Sequence, residues 1–385
     1  MTMTFDLVVV GAGPAGGSAA ITAARGGASV LLLERGRFPR HRVCGEFVSA
    51  ESLDLLHNLL DPSHRKLIAE APRIAHGRIF TDGAVLQAKI DPAAASITRF
   101  DLDAALWDSC IQARVETRDD CTVQKVEGRG PFTLTTQHEV FNATAVINAT
   151  GRWSNLASPA TRAQLAKQKK NGRWIGIKSH FREGVSPQTS HVATNAFVFV
   201  PENSVDLYFF DGGYCGVQPV GRQNGSGTRI NACAMVQSDV ATTLPEVLRR
   251  HPALAERSRS WQPLMDAVTT SPLVFHEPEP EFRGMLQAGD SATFVDPFVG
   301  DGISLALRSG TLAAECLLPV FRSERSLGQA SAEYLTAYKS RLSQVFRASS
   351  RLRRMLRWPA IIRKPALSLL QKTPSLTNQL VKMTR

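Results

Sequence analysis

An α/β fold is predicted, in which a parallel-sheet lobe is interrupted by a mostly antiparallel sheet and followed by a helical tail. Three observations predict it. Residues 5–34 run strand, glycine-rich turn, helix and strand; residues from about 172 to 282 carry mainly strand patterns; and residues 285–318 return to a strand followed by a long helix. The chain then divides into a first lobe part at 1–155, an inserted sheet lobe at 156–282, a second part of the first lobe at 283–338 and a tail at 339–385. Hydrophobic residues make up 43% and charged residues 21% of the 385, which excludes a disordered, collagen-like or disulfide-scaffold protein.

Each element has a local reason. Phe5–Val10 is a β-branched apolar run, hence a buried strand. Pro14–Arg25 is Ala-rich, with Pro in its opening turn and Gly26-Gly27 at its end, hence a helix. Ser29–Glu34 is the second strand, and Ala50–Leu60 and Asp101–Val115 read as helices. Thr122–Glu127, Phe132–Thr136 and Glu139–Phe141 read as short strands joined by turns, and Thr144–Asn148 as a buried strand ending at Ala149-Thr150-Gly151. In the insert, Trp174–Phe181, Ala196–Val200, Val205–Phe210, Tyr214–Val220 and Arg229–Val236 are strand-like. A hairpin loop is expected at Gly221–Gly227 and one helix near Leu244–Arg257. Met285–Ala288 is again a strand and Gly302–Leu318 a helix. No stretch approaches the ~20 apolar residues of a membrane span, and no basic region precedes Phe5–Val10 as in a secretory signal.

The first turn carries chemistry. Gly11-x-Gly13-x-x-Gly16 lies between strand and helix, and Glu34 ends the next strand. Gly11 permits the tight turn, Gly13 lets backbone approach a pyrophosphate, and Gly16 lets helix pack on strand. The helix N-terminus supplies N–H donors and a positive dipole. A carboxylate at Glu34 can accept the hydroxyls of an adenosine ribose, so a Rossmann-like dinucleotide site is expected.

Two further motifs narrow the dinucleotide. Val146–Gly151 is an apolar strand ending in Ala-Thr-Gly, and Leu286–Ala292 with Val295–Ile303 supplies Ala-Gly-Asp followed by Asp-Pro-Phe-Val-Gly-Asp-Gly-Ile. In these three motifs, over residues 5–155 and 283–320, the chain resembles the flavoprotein group of para-hydroxybenzoate hydroxylase, geranylgeranyl reductases and flavin-dependent halogenases. The resemblance implies FAD. On the residues themselves, Asp290 after Gly289 can accept from a ribityl hydroxyl. Pro297, Gly300 and Gly302 form a close-approach loop, and the helix opening at Ile303 can stabilise negative charge at the flavin N1–C2 carbonyl edge. The resemblance implies that the chain passes the adenosine side again at Gly151. Arg99, in Arg-Phe-Asp-Leu-Asp, is similar to the group's phosphate-side Arg, and Arg35 to its adenosine-side Arg; either is otherwise a solvated surface residue.

Arg40–Glu46 resembles the Cys-Gly loop of geranylgeranyl reductases, which runs beside the isoalloxazine and places Cys44 and Gly45 there. Cys44 is then a candidate catalytic proton donor, or else a small apolar residue in a tight loop. Asp211–Pro219 resembles the group's Gly-Gly-Tyr-x-Trp-x-x-Pro strand on the substrate face, which makes Tyr214 and Gly216 substrate-facing. Cys215-Gly216 stands where an aromatic is usual, reshaping the pocket. Thr150 replaces the Asp of the hydroxylases' Asp-Gly motif, and the five isolated Trp disfavour the tryptophan-type halogenases. The expected activity is hydride transfer from reduced FAD to a C=C bond of a hydrophobic small molecule. A monooxygenase using O₂ is the alternative, a halogenase ranks below it, and a non-catalytic electron carrier is the outside option. Electrons are expected from NAD(P)H or a separate reductase.

Six Cys without CxxC spacing or His partners give no metal site and suggest reduced thiols of a cytoplasmic protein. The net charge of +11 is local. Lys339–Arg385 holds twelve Lys/Arg and no Asp/Glu, leaving 33 basic against 34 acidic residues elsewhere. Two readings of the tail stay open: an interfacial helix in peripheral contact with anionic lipid, or a helix packed on the FAD lobe with a solvated Arg face. Nucleic acid is not expected as a partner, because no binding module accompanies the charge.

Overall fold

In the computed structural model two sheets share the chain. Residues 3–343 are described, other than 82, 153–155, 157, 169–172, 184–202, 222–227, 274, 276 and 295. The expected strand Ala196–Val200, residues 222–227 of the expected hairpin loop, and the tail beyond 343 lie outside the described residues.

The first sheet has a parallel centre in the order Met285–Gln287, Val140–Asn148, Met3–Val10, Val30–Leu33, Glu116–Arg118. Its register explains how motifs hundreds of residues apart converge. Val10 pairs with Leu33 on one side and Asn148 on the other, and Asn148 pairs with Gln287. Four strands therefore end in one row, and from that row emerge the Gly11–Gly16 turn, Glu34, Ala149–Gly151 and Ala288–Asp290. Ligands of open parallel sheets bind at such carboxyl ends.

Helix Pro14–Arg25 covers the sheet with a face of small residues, and helix Gly302–Phe321 crosses it closely. At the crossing a Cβ on Gly310 would lie 2.0 Å from the Ala15 carbonyl oxygen. Gly302–Phe321 is long and apolar enough to span a bilayer, contrary to the sequence expectation, yet 61% of its apolar window is buried inside the protein. Helix Leu327–Arg341, begun by a Ser326/Gln329 capping box, packs on it and sends the buried Tyr334 hydroxyl to donate to the Gln287 carbonyl at 2.7 Å.

The second sheet corrects the expected lobe boundaries. Beside Trp174–Glu183, Ser204–Phe210, Gly213–Pro219 and Thr228–Gln237 it contains Arg73–Thr81, Ala84–Ser96 and Phe47–Val48. Residues 47–96 therefore build the sheet that was expected from 156–282 alone. Arg73–Thr81 joins Ser204–Phe210 in parallel, while the sheet's other pairings are antiparallel. The strand escapes sequence inspection because most of its residues are half-buried on both faces, which blurs the period of two. Arg257 locks the sheet to the helix Pro252–Arg257, donating to Glu183 at 2.6 and 3.0 Å and to Asp206 at 2.6 Å.

Two other boundaries differ. Glu139–Phe141 and Thr144–Asn148 are one strand, Val140–Asn148, whose first half pairs with Phe132–Thr136 and whose second half enters the core. The expected helix Leu244–Arg257 is two, Leu244–Leu248 and Pro252–Arg257. Pro252 forces His251 into an extended conformation at φ −122°, ψ 126°.

Gly310→Ala tests the helix crossing. Alanine gains about 1 kcal/mol of helix propensity, but the overlap with backbone oxygen has no rotamer escape and costs roughly 1–3 kcal/mol or more. A lower Tm by circular dichroism is expected, and an unchanged or higher Tm would contradict the close crossing.

Candidate functional site

The glycines of the nucleotide turn divide into two kinds. Gly11 has φ +99° and a Cβ there would sit 2.4 Å from the Ala149 carbonyl oxygen; at Gly16 it would sit 1.7 Å from the Gly11 oxygen. These two are glycine because the fold packs there. At Gly45, Gly151 and Gly302 a Cβ would meet nothing within 4 Å, and at Gly13 only the Arg99 guanidinium at 3.6 Å. Those backbones face open space.

That space is one cavity of about 850 Å³. It is lined by Gly11, Gly13, Glu34, Arg35, Cys44, Gly45, Arg99, Gly151, Tyr214, Gly216, Gly289, Asp290, Pro297, Gly300, Gly302 and Ile303. Of the candidate residues only Gly16 does not line it, being buried behind Gly11. Beyond the nucleotide row the cavity passes Cys44 and runs along the second sheet, lined by Ile79, Leu86, Val205 and Leu207 and by Met235, Leu273, Phe294 and Phe298. Gly216 faces it while Cys215 points into the opposite, buried face of the sheet, so the opening comes from the glycine alone.

At the adenosine end Glu34 is buried. Its Oε2 accepts from the Ala12 N–H at 2.9 Å, and its Oε1 from the Gly36 N–H at 3.0 Å and from Arg40 Nη1 at 2.7 Å. Burial alone would raise the carboxyl, but Arg40 and the two N–H groups hold it below its ordinary range. Arg40, not foreseen in the sequence, also covers the Phe38 ring at 4.4 Å. Arg35 is exposed at the cavity rim. Arg99 opens helix Arg99–Gln112 after the Thr98 cap and makes a bidentate pair with Asp103 at 2.7 Å for each bond, which points its charge at Gly13.

The Cys-Gly loop is clamped by groups that no sequence motif announced. Glu46 is fully buried at φ +63°, and its carboxylate accepts from Lys178 Nζ, from His180 Nε2 at 2.7 Å and from the Arg99 N–H at 2.8 Å. Lys178 and His180 are equally buried. Arg229 Nη2, which can only donate, lies 2.9 Å from His180 Nδ1, so that nitrogen accepts and Nε2 carries the proton to Glu46. Burial would raise the Glu46 carboxyl, yet His180 and Lys178 keep it low and ionised. Asn231 Nδ2 donates to the Cys44 and Gly45 carbonyls at 2.9 Å each. The Glu46 N–H reaches the Cys44 sulfur at 3.3 Å, and burial pushes that thiol up, so it is held protonated.

Just before helix Gly302–Phe321, Gly300 (φ +78°) packs on Phe47, and Asp301, 3% exposed, accepts from Ser49 at 2.9 Å with its second oxygen buried and unpartnered. Burial pushes this carboxyl up to about 6.

A glycine cradle open to the cavity, the buried Glu34 carboxylate, the Arg99 guanidinium beside Gly13 and the start of helix Gly302–Phe321 on the cavity are groups that fit FAD, as in a two-lobe flavoprotein oxidoreductase. The FAD dependent oxidoreductase family matches residues 40–316, and an FAD binding domain matches residues 6–44. The chain belongs to the FAD dependent oxidoreductase family. It is 28% identical to a digeranylgeranylglycerophospholipid reductase of Methanopyrus kandleri, over 89% of this chain and 83% of that protein. In structure it resembles a geranylgeranyl bacteriochlorophyll reductase-like protein of Thermoplasma acidophilum, at TM-score 0.73 and 19% identity over 100% and 96% of the two chains. A flavin-dependent brominase shares the fold at TM-score 0.75 and 17% identity, over 99% and 93%.

Two predictions follow from this geometry. Glu46→Ala leaves Lys178 buried without its partner, and a loss of about 3–5 kcal/mol is expected in urea unfolding; a wild-type midpoint would show that the clamp carries no weight. Asp301 has a folded pKa above its ordinary 3.8, so its contribution is full below about pH 4 and lost as pH rises to about 6. Asp301→Asn should therefore be more stable than wild type at pH 7, by about 2–3 kcal/mol, with the difference vanishing near pH 4.

Proposed function

We propose that this chain is an FAD-dependent reductase that adds two hydrogens across a C=C bond of a hydrophobic, lipid-like substrate. The observation that carries the proposal is the continuity of the cavity, which runs from the nucleotide row past a protonated thiol into an apolar channel in the second sheet. The name of the Methanopyrus kandleri relative supports it.

Bound FAD supplies the hydride. The chain supplies the rest. Glu34 and Arg40 would hold the adenosine end, Arg99 and the N-terminus of Pro14–Arg25 the phosphates, and Asp290 a ribityl hydroxyl. The start of Gly302–Phe321 opens on the cavity, where its dipole would favour negative charge on a bound flavin ring. Tyr214, Met235, Leu273 and Phe294 pack together and exclude water from the substrate end. Cys44, kept neutral by burial and placed by Asn231 and Glu46, donates the proton to the second carbon. Electrons reach the site from NAD(P)H or a separate reductase, and the twelve basic residues of 339–385 favour peripheral contact with anionic membrane on the cytoplasmic side.

Anaerobic turnover of the reduced holoprotein with a polyprenyl substrate is the test. A product gaining two hydrogens without O₂ is expected; a strict need for O₂ with oxygen incorporated would identify a monooxygenase instead. Cys44→Ala should retain FAD and lose roughly 10²–10⁴-fold in turnover, whereas a loss of only a few-fold would leave Cys44 a packing residue.

A further inference from the structure

The cavity-lining cations differ in how their charge is met. Arg40 donates to Glu34 at 2.7 Å, Arg78 makes a bidentate pair with Asp206 at 2.8 and 2.7 Å, and Arg99 does the same with Asp103. Arg152 lies directly after Gly151, with its side chain 15% exposed. Its nearest carboxylate is Asp290, at 3.6 Å from Nε, beyond hydrogen-bond distance. Its Nη1 is buried and without a hydrogen-bond partner. The guanidinium lies 4.4 Å over the Phe294 ring, and the Cys44 and Cys233 thiols are near enough to feel its charge.

A guanidinium stripped of water with a donor left over is costly unless an anion completes it. Position says where that anion comes from. Arg99 already serves Gly13 at the pyrophosphate end. Phe294, under Arg152, belongs instead to the cluster of Tyr214, Met235 and Leu273 that walls the substrate end. Asp290 repels an anion on the Nε side, so an anion meets the guanidinium through the small part of it that lines the cavity, with the buried Nη1 as the donor still unmet.

We propose that Arg152 is the recognition point for an acidic group, a carboxylate or a phosphate, on the otherwise apolar substrate. The proposal rests on the apolar-substrate reading above and adds a polar anchor to it. The anchor fixes the depth of the chain in the channel, and so which double bond lies beside Cys44.

Palmitate and hexadecanol share one chain and differ in the acid, so each is titrated into full-length holoprotein and followed through the bound-flavin absorbance. Wild type is expected to bind palmitate roughly 10-fold or more tightly than hexadecanol, the scale of a hydrogen bond to a charged group. Arg152→Met should bind both alike, with hexadecanol affinity, FAD affinity and flavin midpoint potential unchanged, and Arg152→Lys should keep part of the preference. Equal binding of the two probes to wild type overturns the proposal, as does a preference that survives in Arg152→Met. Loss of FAD affinity or a moved potential in Arg152→Met, with the preference intact, assigns the cation to the cofactor instead. If neither probe perturbs the flavin of wild type, the apolar-substrate reading itself falls, and this one with it.

Discussion

A carboxylate with no access to water ties the Cys-Gly loop to the second sheet and to the start of a helix. Glu46 reaches back from the end of the Cys-Gly loop to Lys178 and His180 on strand Trp174–Glu183, and also takes the first N–H of helix Arg99–Gln112. None of these polar and charged groups is stable in the interior alone. Each must find its partner, and they do so in one arrangement of loop, helix and strand. The left-handed backbone at Glu46 costs energy in a residue with a side chain. The ionic contacts and the Ile97 N–H bonded to the Glu46 carbonyl at 2.9 Å hold it there.

From that constraint the chemistry of the site follows. With Glu46 fixed, the preceding residues cannot slide along the sheet, and Asn231 receives the Cys44 and Gly45 carbonyls. Cys44 is thereby set between the nucleotide row and the apolar channel. His180, accepting from Arg229, is left with one proton, which it spends on Glu46. His41 meets the edge of His180 and stacks on Phe100, which closes the network on its solvent side.

The nucleotide half was legible because its requirements are local. Gly11, Gly13 and Gly16 sit within one turn, Glu34 follows at the end of the next strand, and each demands a particular residue type for a reason that needs no knowledge of the rest of the chain. The Asp290–Ile303 segment was legible for the same reason. Arg40 was not, since nothing in a run of arginines says which one folds back onto Glu34; Arg35, the nearest in sequence, is exposed at the rim. Strand Arg73–Thr81 was hidden because its half-exposed faces dilute the alternation, whereas Ala84–Ser96 carries a readable period of two, with Leu86, Ala88 and Ile90 buried and Gln87, Lys89 and Asp91 exposed. The capping box at Ser326 and Gln329 is a readable local sign of helix Leu327–Arg341.

The sequence by itself determined the glycine-rich turn, the strands whose ends carry it, the glycine-containing loop before Ile303 and the concentration of positive charge in 339–385. Only the tertiary structure decided which distant residues meet. Lys178, His180, Arg229 and Asn231 lie more than a hundred residues from Glu46 and Cys44, and strand pairing alone brings them under the loop. Arg152 reads as an ordinary basic residue after a glycine; burial over Phe294 makes its unmet donor significant. Local steric and backbone demands are written in neighbouring residues, whereas the worth of a charge depends on the water and partners left to it after packing.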